Sequence, residues 1–240
     1  MLTANFKLRH IQDSLVITDT HGRSFLLDQD ATMSWGDTYP LEIGDRRIEL
    51  AQRGIDLDEY ALKLGISHVK IAGVLGLSDL AGLSIVLDVK NKTCTFANEG
   101  AYEFDIATLT AKRVQGRWLA DVCVGDRSLT LEVDFARRHS YLPAELVDES
   151  VLPFRSKMTL AFGNMSTFLT IGWALSGPGC SPIAGLDGLL GCGEFLDQFQ
   201  LILQQSPSQD SIQVMLLDHN IISRSTAEHG ITEETLQAVS

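Results

Sequence analysis

The sequence predicts a mainly β chain built from two copies of one small lobe, with only short helices between strands. Three observations carry this. An apolar strand run ends in an acid twice, as Phe25-Leu26-Leu27-Asp28 and as Leu129-Thr130-Leu131-Glu132-Val133-Asp134. Each acid is followed at one fixed distance by a serine and an aromatic, Ser34-Trp35 and Ser140-Tyr141, so the acids are 106 residues apart (134 − 28) and so are the serines (140 − 34). A glycine-flanked aliphatic element then recurs, Gly73-Val74-Leu75-Gly76 and Gly188-Leu189-Leu190-Gly191, at an offset of 115 (188 − 73). Two different signatures repeating in the same order mark an internal duplication.

Taken in order, residues 5–17 read as a first strand, closed by the turn Asp19-Thr20-His21-Gly22. Residues 41–50 alternate around Gly44-Asp45 and read as a hairpin. Residues 55–64 carry a helical spacing at Ile55, Tyr60, Leu62 and Leu64, with Gly65 as the stop. The element at Gly73 reads as a buried strand with close backbone approach, opening into a short helix. Residues 83–89 form the next strand, Asn91-Lys92 the turn, and residues 93–96 the return strand. In the second half, Gly125-Asp126 turns the chain into the run that ends at Asp134. Phe199, Leu201 and Leu203 match Leu83, Ile85 and Leu87 at an offset of 116 (199 − 83). The growth from 106 to 116 places a longer loop in the second copy, within residues 169–183, where glycine and proline gather. The expected lobes are residues 1–100 and 101–217. Residues 218–240 are an extension, with Thr232 capping a short helix.

Composition narrows the function. The net charge is −12 over 240 residues, and neither a nucleic acid nor an anionic membrane would meet a basic footprint. The start lacks the apolar segment of a secretory signal and no apolar run reaches bilayer length, so a cytoplasmic chain is expected. The four cysteines, Cys94, Cys123, Cys180 and Cys192, form no C-x-x-C pair, and the six histidines show no metal-ligand spacing. No metal and no cofactor are implied, and the thiols are expected to be free. No Gly-x-Ser-x-Gly elbow is present, and the glycines of residues 185–193 lack the Lys-Ser/Thr of a phosphate loop.

A strand ending in Asp, a following serine and aromatic, and a later Leu-Gly element (Leu75-Gly76 and Leu190-Gly191) resemble the aspartic peptidases of the pepsin and retropepsin type. The resemblance covers about residues 5–217. It implies a bilobal fold of closed β-barrel lobes, with Asp28 and Asp134 as the catalytic dyad and an inter-lobe cleft for an extended peptide. It also implies where the chain departs. The family motif is Asp-Thr-Gly in each lobe; its threonine hydroxyls cross-bond to the opposite lobe, and its glycines let backbone approach the carboxylates. Here the motifs read Asp28-Gln29-Asp30-Ala31 and Asp134-Phe135-Ala136-Arg137, without either Thr or Gly.

The family chemistry needs two carboxylates sharing one proton, one acting as base on water and the other as acid toward the carbonyl. Both acids are present. Phe135 makes no hydroxyl bond, Gln29 can donate only from a longer amide, and an inward Asp30 adds a third negative charge. Like-charge crowding raises carboxylate pKa values, each unit being worth about 1.4 kcal/mol. Arg137 or Arg138 would offset that charge by pinning Asp134 as an anion. Gln29, Asp30, Ser34, Phe135, Arg137 and Ser140 are the candidates to contact a bound peptide, the two serines being also placed to brace their turns. Two functions follow from the resemblance. One is a catalytically impaired relative that binds a peptide or protein partner, as a monomer or a lobe-exchanged dimer, with residues 41–50 and 160–171 as covering hairpins. The other is a working endopeptidase with an altered dyad and a dedicated substrate. The first is preferred because both Thr-Gly pairs are replaced.

Overall fold

A computed structural model describes residues 3–37, 39–98, 108–124, 127–142, 155–162, 165–173 and 186–218. The first half runs β1 (Thr3–Ile11), β2 (Ser14–Thr18), β3 (Ser24–Asp28), β4 (Trp35–Gly36), β5 (Leu41–Ile43), β6 (Arg46–Ile48), α1 (Leu57–Lys63), β7 (Ile71–Gly76), a 3-10 turn (Leu77–Leu80), β8 (Leu83–Asp88) and β9 (Thr93–Asn98). The second half runs β10 (Thr108–Val114), β11 (Arg117–Val124), β12 (Arg127–Asp134), β13 (Ser140–Leu142), β14 (Arg155–Phe162), β15 (Met165–Trp173), β16 (Gly188–Gly191), α2 (Gly193–Leu196), β17 (Phe199–Gln205) and β18 (Ser211–Asp218).

The single strand expected over residues 5–17 is two. A turn at Gln12 and Asp13 folds β2 back on β1, with Gln12 in the left-handed region at φ 53. Gly44 opens the two-residue turn of β5–β6 at φ 58, as such hairpins require of their first central residue. Helix α1 forms as expected but presents a different face. Ala61 is buried, Leu57, Tyr60 and Leu64 pack beside it, and Leu62 points to solvent. Steps of three and four residues share a helix face, which Leu62 breaks and Leu57, Ala61 and Leu64 keep. Asp56 caps the helix by accepting from the Asp58 and Glu59 amides, and Gly65 ends it at φ 73.

Among the described residues sixteen strands form one sheet, and six of them make its spine in the order β10-β18-β17-β8-β9-β1. The halves join in the middle of this spine. β8 pairs antiparallel with β17, setting Leu87 opposite Leu201 and Ile85 opposite Leu203. Outward from that seam the pairings correspond: β1–β2–β3 is matched by β10–β11–β12, and β3 beside parallel β7 by β12 beside parallel β16. Beyond that the halves differ. The second half closes a ring, β12–β16–β13–β15–β14–β11 and back to β12. In the first half β5 and β6 form a sheet of their own, and the strand order ends at β4. One apolar cluster runs through both halves, from Phe6 and Phe25 to Trp118, Phe195 and Leu216. No helix of the described residues is long and apolar enough to cross a membrane. The turn at Gly125-Asp126, Cys180, most of the expected loop insertion and the expected C-terminal helix lie outside the described residues.

Candidate functional site

Asp28 and Asp134 occupy equivalent ends of equivalent strands. β3 runs parallel to β7 and sets Asp28 beside Gly76; β12 runs parallel to β16 and sets Asp134 beside Gly191. Each glycine admits the loop that follows the acid. A Cβ at Gly76 would lie 2.6 Å from the Ala31 carbonyl oxygen, and one at Gly191 2.6 Å from that of His139. The Gly76 amide donates to Ser34 Oγ at 3.1 Å, and the Gly191 amide to Ser140 Oγ at 3.0 Å. Both serines are buried, so they brace the turn behind each acid and sit outside the lining of the cleft.

The carboxylates are held alike. Asp28 Oδ1 accepts from the amides of Asp30 (2.9 Å) and Ala31 (3.1 Å). Asp134 Oδ1 accepts from the amides of Ala136 (3.0 Å) and Arg137 (2.9 Å). Asp30 and Ala136 thus supply the backbone donors without glycine. Asp28 takes one further bond, from the Tyr60 hydroxyl to Oδ2 at 3.3 Å. Tyr60 comes from α1, and its ring packs edge-on against Trp35 with centroids 5.2 Å apart.

Both acids open on one cleft of about 390 Å³. Gln29, Asp30 and Phe135 line it between them, Leu77, Leu87 and Leu203 contribute apolar wall, and Tyr60 and Leu64 reach in from α1. The expected cover over residues 41–50 is absent from that lining; Leu41, Ile43 and Ile48 face the core instead. Residues 160–171 do form a hairpin, β14 with β15.

Burial and charge act on two of the carboxyls, Asp134 and Asp30. Burial raises the Asp134 carboxyl above its ordinary range, against the pull of the Arg137 and Ala136 amides and the Arg137 guanidinium. Asp30 sits at the rim, yet desolvation on its protein side and the charges of Asp28, Asp134 and Glu132 push it up to about 6, with Arg113 acting the other way. Among the described residues, the closest acid to the Arg137 guanidinium is Asp13, at 3.9 Å, and the ring of Tyr141 lies under it. Arg138 pairs with Asp197 at 2.9 Å. Neither arginine forms an ion pair with Asp134.

Contacts across the halves were less visible in the sequence. Gln29 Nε2 donates to the Val133 carbonyl at 2.9 Å, while its Oε1 accepts from the Phe135 amide at 2.7 Å. The Trp118 indole donates to the Gln29 carbonyl at 3.2 Å, and His10 Nε2 donates to the Ala136 carbonyl at 2.6 Å. Asp13 accepts from the Arg138 amide. Tyr60, Trp118, His10 and Asp13 were missed as site residues. The one available signal was Trp118 itself, because a buried indole needs an acceptor.

No protein-family model and no curated protein matches this sequence. Solved structures do. Basic 7S globulin from soybean superposes with a TM-score of 0.50 at 9% identity, over 89% of this chain and 94% of that one. A retropepsin-like aspartic protease from Rickettsia conorii matches with a TM-score of 0.34 at 13% identity, over 47% of this chain and 95% of that one. The fold is the pepsin-like bilobal one that basic 7S globulin has. Within this fold, Asp28 and Asp134 end equivalent strands and line one cleft, and the Leu-Gly elements lie beside them.

Proposed function

We propose that this chain is a peptidase-fold protein that holds an extended peptide, or an extended segment of a partner protein, in the cleft between two lobes and hydrolyses it poorly or not at all. The lobes are taken as residues 1–100 and 101–217, related by duplication. The observation that carries the reading is Asp30, a third carboxyl on the cleft, within electrostatic reach of both Asp28 and Asp134. Peptide hydrolysis by two acids needs one proton held between them. Asp30 competes for that proton. The Tyr60 hydroxyl already donates to Asp28 Oδ2 and so occupies an oxygen that would face the attacking water. What remains is a groove with apolar walls and an acidic floor, suited to an extended chain with alternating side chains.

A second reading, hydrolysis at acid pH, is favoured by the Gln29 bonds across the cleft and by an Asp134 carboxyl that is raised rather than salt-bridged. In it, Asp28 removes a proton from water as the water oxygen bonds to the scissile carbonyl carbon. Asp134 gives its proton to the carbonyl oxygen. The tetrahedral adduct then breaks its C–N bond: Asp28 gives its proton to the leaving nitrogen, and a hydroxyl of the gem-diol returns a proton to Asp134 as the new carboxyl group forms.

One experiment separates the two. A diverse peptide library is incubated with the protein from pH 3 to 8 and analysed by mass spectrometry, with Asp28→Asn and Asp134→Asn as controls. The expected result is no cleavage, together with enrichment of a peptide subset on immobilised protein that is lost in Leu64→Trp, where the cleft is filled. Cleavage abolished by both Asn variants would overturn the proposal in favour of the second reading.

A further inference from the structure

We propose that Gln29 is a positioning residue, whose side-chain amide acts with the Trp118 indole to clasp the two acid-bearing loops into one fixed register across the cleft. The proposal takes the cleft as the site, as above, but does not depend on whether the site cleaves or only binds. The amide is used at both ends. Nε2 donates to the carbonyl of Val133, and Oε1 accepts from the amide of Phe135. Those residues flank Asp134, so a single side chain fixes the peptide planes on both sides of that acid. Gln29 itself follows Asp28 directly. Any shift of one acid-bearing loop past the other must break both bonds together.

A return bond completes the clasp. Trp118, on β11 of the second half, donates to the backbone carbonyl of Gln29. The indole has little freedom. It is fully buried, the Arg113 guanidinium lies 5.5 Å from its ring centroid, and Arg113 is tied to Ser78 Oγ at 3.0 Å. Phe135 occupies the position from which a side chain of the second half would otherwise reach back, and its ring is buried in the core. One amide and one indole therefore do from two different places what a symmetric pair of short hydroxyls would do from one. Gln29 moves on this view from a ligand contact to a fixed part of the frame.

Glu and Met distinguish this role from mere filling of space. Met matches the length of Gln without its polar atoms. Glu in its acid form has one donor and one acceptor, like the amide; as a carboxylate it has no donor. Asp30, the next residue in the chain, feels the charges of Asp28, Asp134 and Glu132, with Arg113 acting the other way. Such surroundings keep a new carboxyl protonated at pH 4 and make its ionised form unwelcome at pH 7.

The test measures amide hydrogen exchange at Phe135 and the carboxyl titrations of Asp134 and Asp30 by NMR, in full-length wild type, Gln29→Met and Gln29→Glu. In Gln29→Met, exchange at Phe135 should rise about tenfold and the Asp134 midpoint should move, because its flanking planes are released. In Gln29→Glu, protection at Phe135 should be near that of wild type at pH 4; once the new carboxyl ionises it faces the Val133 carbonyl with no donor between them, so the side chain should leave the clasp and take the Phe135 acceptor with it. Wild-type exchange and titration in Gln29→Met would overturn the proposal. If Gln29→Met does not fold, Gln29→Glu decides: protection equal to wild type at a pH where NMR shows the new carboxyl to be ionised would overturn it. Neither readout uses cleavage or peptide binding, so this proposal fails separately from the functional one.

Discussion

The two halves share a frame and differ in what they add to it. Behind each acid the same parts recur: a parallel strand ending in glycine, a buried serine taking that glycine's amide, and two backbone donors on the carboxylate. Around the acids nothing recurs. The first half sends Tyr60 to its own Asp28 and Gln29 across to the other loop. The second half sends Trp118 across, buries Phe135, and closes its strands into a ring. The frame must position a charge in a desolvated place, which few residue combinations can do. The additions need only satisfy particular partners, and each half meets that demand with different chemistry.

The largest effect should come from the asymmetric member, Trp118. Its counterpart is Leu15: each stands one residue before the one that pairs two positions ahead of the acid, Val16 with Leu26 and Leu119 with Glu132. Trp118→Ala should cost about 3–5 kcal/mol in denaturant unfolding, through a large cavity and a lost bond to Gln29. Leu15→Ala should cost less. Equal losses would mean that the indole bond contributes little and that the halves are more alike than their contacts indicate.

The shared frame makes a sharper demand. Ser34→Ala and Ser140→Ala each leave a buried glycine amide without its acceptor, at about 1–3 kcal/mol. The two costs should agree within about 1 kcal/mol, the scatter expected of one such bond. A larger gap, measured side by side by urea unfolding, would break the equivalence of the two turns.

Much of the frame could be read from the sequence because each of its parts is local. An apolar run that ends in Asp is visible within six residues, and a glycine needed for close approach has no substitute that fits, so Gly76 and Gly191 stood out. The helix at residues 57–63 was found but its buried face was misread, since Ile55 and Leu62 are apolar yet exposed. The bonds of Gln29, Trp118, Tyr60 and His10 could not be read. Each joins residues 32 to 126 positions apart, and no local pattern encodes the partner of a lone polar side chain.

The smallest effect concerns pH. Asp30 binds its proton more tightly in the folded chain, at about 6, than at the ordinary 3.8. Folding therefore takes up a proton in that window, and stability should decline as pH rises from about 4 to 6. The raised carboxyl of Asp134 acts in the same direction. Asp30→Asn should flatten the fall in melting temperature between pH 4 and 6 and raise stability modestly at pH 7. An unchanged slope in Asp30→Asn would show that the third carboxyl is solvated independently of Asp28 and Asp134.

The seam between β8 and β17 has a consequence for synthesis of the chain. β8 has β9 on one side and β17 on the other, and its β17 partners lie more than 110 residues downstream, as with Leu87 and Leu201. While the ribosome is still making the second half, β8 presents an unpaired edge rich in Leu, Ile and Val. Such an edge invites pairing with another nascent chain. Completing the sheet beyond β8 therefore depends on a strand made late, a long-range pairing of the kind that slows folding.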